Sequence, residues 1–231
     1  MKAMILAAGL GERMRPLTDH LPKPMLSAGG KPLLQYHLEA LAQNGIQEVI
    51  INLAHLGEKI IEFVGDGSQF GLIVTYSPEP EPLETAGAIL HALPLLGNAP
   101  FILINGDVWS NFPLGDLCQY SLNANELAHL ILVPNPEFHP RGDFAPDTQG
   151  WIVNEEAVAH DQLTKYTFSG ISLIDPKLIS QYPQQRHKFP LVEVLRYGIT
   201  RQHITATVYR GRWSDVGTPE RLRLLDAELN A

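Results

Sequence analysis

The chain has a single cysteine, Cys118, so no intramolecular disulfide can form and a reducing compartment is the default. It has no apolar run of about 18 residues, which excludes a membrane-spanning helix. The stretch Ala3-Met4-Ile5-Leu6-Ala7-Ala8 follows one lysine, is too short for a secretory signal and passes into a glycine turn, so it reads as a strand. The cytoplasm is the expected location by elimination. Positive charge is also scarce: 17 Lys and Arg against 25 Asp and Glu leave a net charge of −8. That balance gives no footprint for nucleic acid or an anionic membrane. Any phosphate must then be held by a local site. The nine histidines form no H-x-E…C-x-x-C or H-E-x-x-H pattern, and no G-x-S-x-G elbow occurs, so zinc and serine-nucleophile chemistry lack support. There is no repeat, low-complexity tract or flexible linker, and residues 1–231 read as one domain.

What is present is strand–helix alternation. Met4–Ala8, Glu48–Leu53, Leu72–Tyr76 and Phe101–Asn105 are short apolar runs of the buried-strand kind. Leu33, Leu34, His37, Leu38 and Leu41 share one helical face, with Pro32 before it and Gly45 after it. Ile60, Ile61 and Val64 predict a second helix closed by Gly65-Asp66-Gly67. Ile89, Leu90 and Leu93 predict a third, stopping near Pro94. Later, Ala128–Val133, Thr167–Ile174 and Ile204–Tyr209 read as strands, Leu191–Tyr197 as a helix, and Pro134–Asp147 as largely loop. Thr218 is a natural N-cap for a last helix with Pro219 at its first position. The pattern predicts a single-domain α/β fold, a Rossmann-like, mixed but mostly parallel sheet with helices on both faces. Ligands of such sheets sit beyond the carboxyl ends of the strands, just after Ala8 and Asn105.

The first of those ends carries Ala8-Gly9-Leu10-Gly11-Glu12-Arg13-Met14-Arg15-Pro16-Leu17-Thr18, then Leu21-Pro22-Lys23-Pro24-Met25. Gly9 and Gly11 let backbone amides approach phosphate oxygens, Arg13 offers a bidentate cation and Lys23 a point charge. A dinucleotide fingerprint would need a third glycine where Met14 stands, and no Walker A loop is present. Asp107 ends an apolar strand at Asn105-Gly106-Asp107, where a carboxylate can hold a cation against phosphates.

The opening resembles the signature of the sugar-1-phosphate nucleotidyltransferases, G-x-G-x-R followed by P-x-T and P-K-P. Leu83-Glu84-Thr85-Ala86-Gly87, Asn105-Gly106-Asp107, Thr167-Phe168-Ser169-Gly170-Ile171 and Trp213-Ser214-Asp215-Val216-Gly217-Thr218-Pro219-Glu220-Arg221 match the same family in order. Pro140-Arg141-Gly142-Asp143-Phe144 is similar to a loop of its short N-acetylmuramate-1-phosphate uridylyltransferases. The resemblance implies the nucleotide-diphospho-sugar transferase type of fold, with about 1–110 binding nucleotide and the remainder sugar. It implies nucleotide contacts from Ala8, Gly9, Gly11, Glu12, Arg13, Lys23, Glu84 and Gly87, and catalytic roles for Arg13, Lys23 and Asp107. Asp107 and Asp215 would hold Mg²⁺, and Asn105, Gly142, Ser169 and Gly170 would face the sugar. UTP is the implied donor and a sugar 1-phosphate, N-acetylmuramate α-1-phosphate first, the implied acceptor.

Several of these residues have plainer readings. Glu84–Gly87 also makes a capping motif, Gly142 also suits a turn, Trp213 also suits a core, and Arg221 and Arg223 read as a solvated helix face. The Glu-Lys-Pro motif of larger relatives is replaced by Val153-Asn154-Glu155-Glu156-Ala157, which leaves room for a bulkier sugar and points to Arg141, or else Arg210 or Arg212, as partner for its carboxylate. A catalytically silent sensor, another hexose-1-phosphate enzyme or a phosphocholine-type cytidylyltransferase would share the opening motif.

Overall fold

The computed structural model describes residues 1–161 and 163–231. The first half runs β1 (Lys2–Leu6), β2 (Ser27–Ala28), β3 (Lys31–Pro32), α1 (Leu33–Gln43), β4 (Glu48–Leu53), α2 (Gly57–Val64), β5 (Ile73–Pro78), α3 (Glu84–Leu96), β6 (Phe101–Asn105) and β7 (Val108–Ser110). The second runs α4 (Leu114–Gln119), β8 (Ala128–Val133), α5 (Glu155–Asp161), β9 (Thr167–Ile174), α6 (Lys177–Ser180), α7 (Leu191–Ile199), β10 (Ile204–Val208), β11 (Trp213–Asp215) and α8 (Pro219–Leu229).

Seven strands form one sheet in the order β10-β8-β9-β6-β1-β4-β5. β1 pairs in parallel with β4 and β6, β4 with β5, and β8 with β10, whereas β9 runs antiparallel between β6 and β8. The mixed, mostly parallel sheet is therefore as the alternation predicts. Both faces are buried. Met4, Leu103 and Leu130 pack under α3, α6 and α7, while their neighbours Ala3, Ile5, Ile102 and Ile104 pack under α1, α2 and α4. That two-sided burial explains continuous rather than alternating apolar runs. Among the described residues no helix is long and apolar enough to cross a membrane.

Two boundaries differ from expectation for local reasons. β1 stops at Leu6 because the Ala7 amide turns to the Asn52 side chain, 2.7 Å away. α3 continues through Pro94 to Leu96. There the proline removes a bond only from the final turn, and the Gly97 amide closes the helix on Leu93 O at 2.9 Å. The Pro134–Asp147 stretch is loop apart from isolated bridges, as predicted. Thr218 caps α8 by accepting from the Arg221 amide.

A third apolar cluster joins Met14, Leu26, Leu33, Trp109, Val216 and Leu225. It fastens the glycine loop, β7 and the start of α8 to one another. This cluster makes the site possible, because it packs three sequence-distant segments together beyond the carboxyl ends of β1 and β6.

Candidate active site

Beyond the carboxyl ends of β1, β4 and β6 lie three adjoining cavities. The first, of about 330 Å³, is lined by Ala8, Gly9, Lys23, Glu84, Asn105 and Asp107 among others. A second follows the loop through Gly9, Gly11, Glu12, Arg13 and Lys23. The third lies toward β9 and β11 and includes Arg13, Asn105, Ser169, Trp213 and Asp215. Asp107 borders all three.

The loop's shape follows from its glycines. Gly11 adopts φ +64°, and a Cβ there would stand 2.9 Å from the Thr18 methyl, whose hydroxyl donates to Gly11 O at 2.8 Å. Around Gly9 nothing lies within 4 Å of a would-be Cβ, so its backbone faces open space. Met14 anchors the loop in the third cluster, leaving Glu12 and Arg13 exposed beside it. Lys23 is buried to 8% exposure and donates to Asp107 Oδ2 at 2.5 Å.

The fold brings Asp107 and Asp215 together through a short antiparallel pair. β7 and β11 align Val108 with Asp215, and the Val216 amide donates to Asp107 O at 3.0 Å. Gly106 allows the turn, since a Cβ there would meet Leu6 O at 2.7 Å. Asp107 is bonded to Lys23 through Oδ2 and Asp215 to Arg221 Nη1, at 2.9 Å, also through Oδ2. The other oxygen of each carboxylate makes no hydrogen bond among the described residues. No cluster of three or more His, Cys, Asp or Glu able to hold a metal occurs among them either. Two hard carboxylate oxygens with open space alongside fit Mg²⁺, which commonly completes its shell with phosphate oxygens and water. His37 is buried nearby. Burial drives its pKa down to about 4, against a hydrogen bond to the Val108 backbone and the charge of Asp107. It is thus neutral at pH 7 and adds no cation to the site.

The floor of the first cavity rests on a buried polar network that sequence reasoning missed. Asn52 accepts from the Ala7 amide and donates to Glu79 Oε1 at 2.6 Å, while Glu79 Oε2 accepts from the Leu83 amide at 2.9 Å. An asparagine within the apolar run Val49-Ile50-Ile51-Asn52-Leu53 was the available signal. Glu84 lines this cavity with φ +61°, a conformation unfavourable for a residue bearing a Cβ. Gly87 does not line it. Its amide donates to Phe189 O at 3.1 Å, and a Cβ would meet His187 O at 2.8 Å. Gly87 thus lets the 187–189 segment pack close, the plainer of its two readings. Lys188, which nothing in the sequence singled out, reaches the cavity from there.

On the third cavity's wall, the β8–β9 register shifts between Ile131 and Leu132, so Ser169 and Gly170 form a bulge. Ser169 lines the cavity and its carbonyl accepts from Trp213 Nε1 at 2.9 Å. Trp213 both packs on the core and lines the cavity. Gly170, at φ +81°, lies against Asn105, whose side-chain atoms would be 2.8–2.9 Å from a Cβ. It positions Asn105 instead of bordering the cavity itself. Gly142 borders none of the three; it is a φ +62° turn residue packed on Asn135. Arg141 is exposed and outside them, Arg210 lies over Tyr166, and Arg212 is bound to Glu228. None of these arginines enters the site. Arg223 is exposed as expected, but Arg221 is not on a solvated face: it lines the third cavity beside Asp215.

Against known proteins, the family model described as nucleotidyl transferase matches residues 2–230. An N-acetylmuramate alpha-1-phosphate uridylyltransferase of Neisseria meningitidis serogroup B is 45% identical over 228 residues, 96% of each chain. A glucose-1-phosphate thymidylyltransferase of Streptomyces griseus is 33% identical over 94% of this chain but only 62% of its own length. HddC from Yersinia pseudotuberculosis, solved in complex with GMP-PN, superposes with a TM-score of 0.76 at 25% identity over 98% of each chain. A Bacillus anthracis structure solved with sucrose shares the fold, at a TM-score of 0.85 and 24% identity over 100% of this chain and 95% of that one. With the glycine loop, the paired aspartates and these matches together, the chain belongs to the nucleotidyl transferase family, among the sugar-1-phosphate nucleotidyltransferases.

Proposed function

We propose that this chain transfers UMP from UTP to N-acetylmuramate α-1-phosphate, with Mg²⁺, forming the UDP-sugar and pyrophosphate in cell-wall recycling in the cytoplasm. The observation that carries the reaction is Asp107, bordering at once the nucleotide cavity, the glycine loop and the cavity on the β9 side. The choice of uridylyl and muramate rests on the similarity to the Neisseria meningitidis enzyme over nearly its whole length.

In this reading the backbone of Gly9–Gly11, Arg13 and Lys23 hold the triphosphate, and Asn105 and Ser169 face the sugar. An oxygen of the acceptor phosphate attacks the α-phosphorus in line; the new P–O bond forms as the bond to the β-phosphate oxygen breaks, and pyrophosphate departs with those electrons. The acceptor is already an anionic nucleophile, so no base and no covalent enzyme intermediate are needed. Positioning and charge neutralisation are the protein's task. Asp107 and Asp215 would hold Mg²⁺, which when bound offsets charge on the transferring and leaving phosphates. Lys23 keeps Asp107 fixed in the meantime, and its buried ammonium stands where triphosphate oxygens arrive.

The test is a matrix of four nucleoside triphosphates against a panel of 1-phosphates, read by pyrophosphate release. UTP with N-acetylmuramate α-1-phosphate should give the highest kcat/KM. A better than tenfold preference for another base, about 1.4 kcal/mol, or equal use of glucose or N-acetylglucosamine 1-phosphate, would overturn the assignment.

A further inference from the structure

We infer that Arg221 receives the phosphate of the acceptor, in the cavity on the β9 side of the cleft. The inference rests on the nucleotidyl-transfer reading above but not on which sugar is used. That reaction brings two anions into contact, so each needs its own cations. Lys23 borders the nucleotide and loop cavities, and Arg13 the loop and β9-side cavities. Arg221 borders the β9-side cavity, next to Asn105, Ser169 and Asp215, and does not border the other two.

Its guanidinium is held in place by three contacts. Nη1 donates to Asp215 Oδ2 at 2.9 Å. The Phe138 ring stacks on it, with Cζ 4.0 Å from the centroid. The plane crosses the bare backbone of Gly217, where a Cβ would stand only 2.0 Å from Nη2. The side chain is just 16% exposed. Among the described residues Nε and Nη2 nevertheless make no hydrogen bond, so donors of the fork stay available while Nη1 keeps its hold on the aspartate. A planar cation with spare donors, fixed beside a candidate metal ligand, is suited to a phosphate.

The inference is tested by calorimetric titration of N-acetylmuramate α-1-phosphate, N-acetylglucosamine α-1-phosphate and glucose α-1-phosphate into enzyme saturated with Mg²⁺ and α,β-methylene UTP, which cannot react. In Arg221→Gln the affinity for every sugar 1-phosphate that the wild type binds should fall about ten- to a hundredfold, as for loss of a charge-assisted bond. The factor should be the same for each sugar, nucleotide affinity should stay within about twofold, and Arg221→Lys should recover part of the loss. Gly217→Ala keeps the charge but displaces the guanidinium, and should lower acceptor affinity too. A loss confined to the muramate, which would mean a contact to its carboxylate, overturns the inference. So does a loss on the nucleotide alone, or wild-type acceptor affinity in Arg221→Gln or Gly217→Ala. The wild-type series separately reports which sugar is preferred, so a wrong muramate assignment is distinguishable from a wrong role for Arg221.

Discussion

Replacing Asn52 with leucine isolates the network beneath the nucleotide cavity, because leucine has nearly the same shape but can neither donate nor accept, and it leaves no space for a bridging water. Asn52 is 3% exposed and Ala7 likewise, so the Ala7 amide would lose its partner with no route to solvent. An unpaired buried donor costs about 1–3 kcal/mol. Glu79, 7% exposed, would lose one of its two bonds and keep that from Leu83. A bond to a charged group is worth about 1.5–3 kcal/mol. The sum is roughly 2.5–6 kcal/mol, and the added apolar burial of leucine offsets about 1–2 of it. A net loss centred on about 3 kcal/mol is expected, a large fraction of the ~5–15 kcal/mol of a typical domain. Urea denaturation of both proteins measures it. Because Ala7 leads into the proposed phosphate loop, the KM for nucleoside triphosphate should rise about tenfold as well. A stability change below about 1 kcal/mol would refute the network argument. A full stability loss with unchanged KM would show that the network supports the sheet without shaping the loop.

Asp107→Asn and Asp215→Asn should each abolish most turnover and leave the fold standing, as should a chelator on the wild type; pyrophosphate release and thermal melts check this, and loss of stability matching loss of rate would make the carboxylates structural. Asp107→Asn should be the less stable of the two, since it leaves the buried Lys23 without its counter-charge, whereas Arg221 retains Phe138. Arg13→Ala should lower kcat by orders of magnitude, while Lys23→Ala should also raise the KM for triphosphate; near-native values for Lys23→Ala would remove it from the phosphate cradle. Far from the site, burial would raise the pKa of Glu126, but hydrogen bonds from His129, Thr205, Asn123 and Tyr120 outweigh it and hold the group at about 2. Its folded pKa lies below the usual 4.5, so the stabilisation is present above that pH and is lost as pH falls from 4.5 toward 2, about 3 kcal/mol at most. Glu126→Gln should therefore be least stable relative to wild type near neutrality and converge on it in acid, a difference that denaturation at pH 7 and pH 3 resolves.

Strands and helices were legible wherever burial imposed a period or a run. β4, β6 and β8 have the bounds that their apolar residues predict, because each is covered on both faces and is mostly apolar, the buried His129 near the start of β8 being bonded to Thr205. The elements that escaped were short: the helices α4, α5 and α6, of four to seven residues, β7 and β11, three residues each, and the two-residue β2 and β3. Yet β7 and β11 are the pair that sets Asp107 beside Asp215. Gly87, Gly142 and Gly170 each carry two readings in the sequence, a ligand-facing one and a packing or turn one, and each has close neighbours in the fold: Phe189 and His187, Asn135, and Asn105. A glycine reports that something comes close, and the sequence cannot say whether it is a ligand or the rest of the chain.

Arg221 shows the complementary difficulty. It sits at the start of an amphipathic helix, where an arginine ordinarily faces water, and nothing about the residue itself marks it out. Its setting comes from Gly217, four residues earlier, and from Phe138, some eighty residues earlier. The same locality resolves how an acidic chain can be built to handle phosphates. The net charge of −8 is spread over the whole sequence, and at physiological salt charges separated by more than about 8 Å are largely screened. At the proposed phosphate sites the relevant charges are instead Lys23 and Arg221, each mostly buried and each locked to an aspartate at hydrogen-bond distance. A polyanion approaching from solution meets the diffuse negative field; a small phosphate that enters the cleft meets fixed cations at contact range.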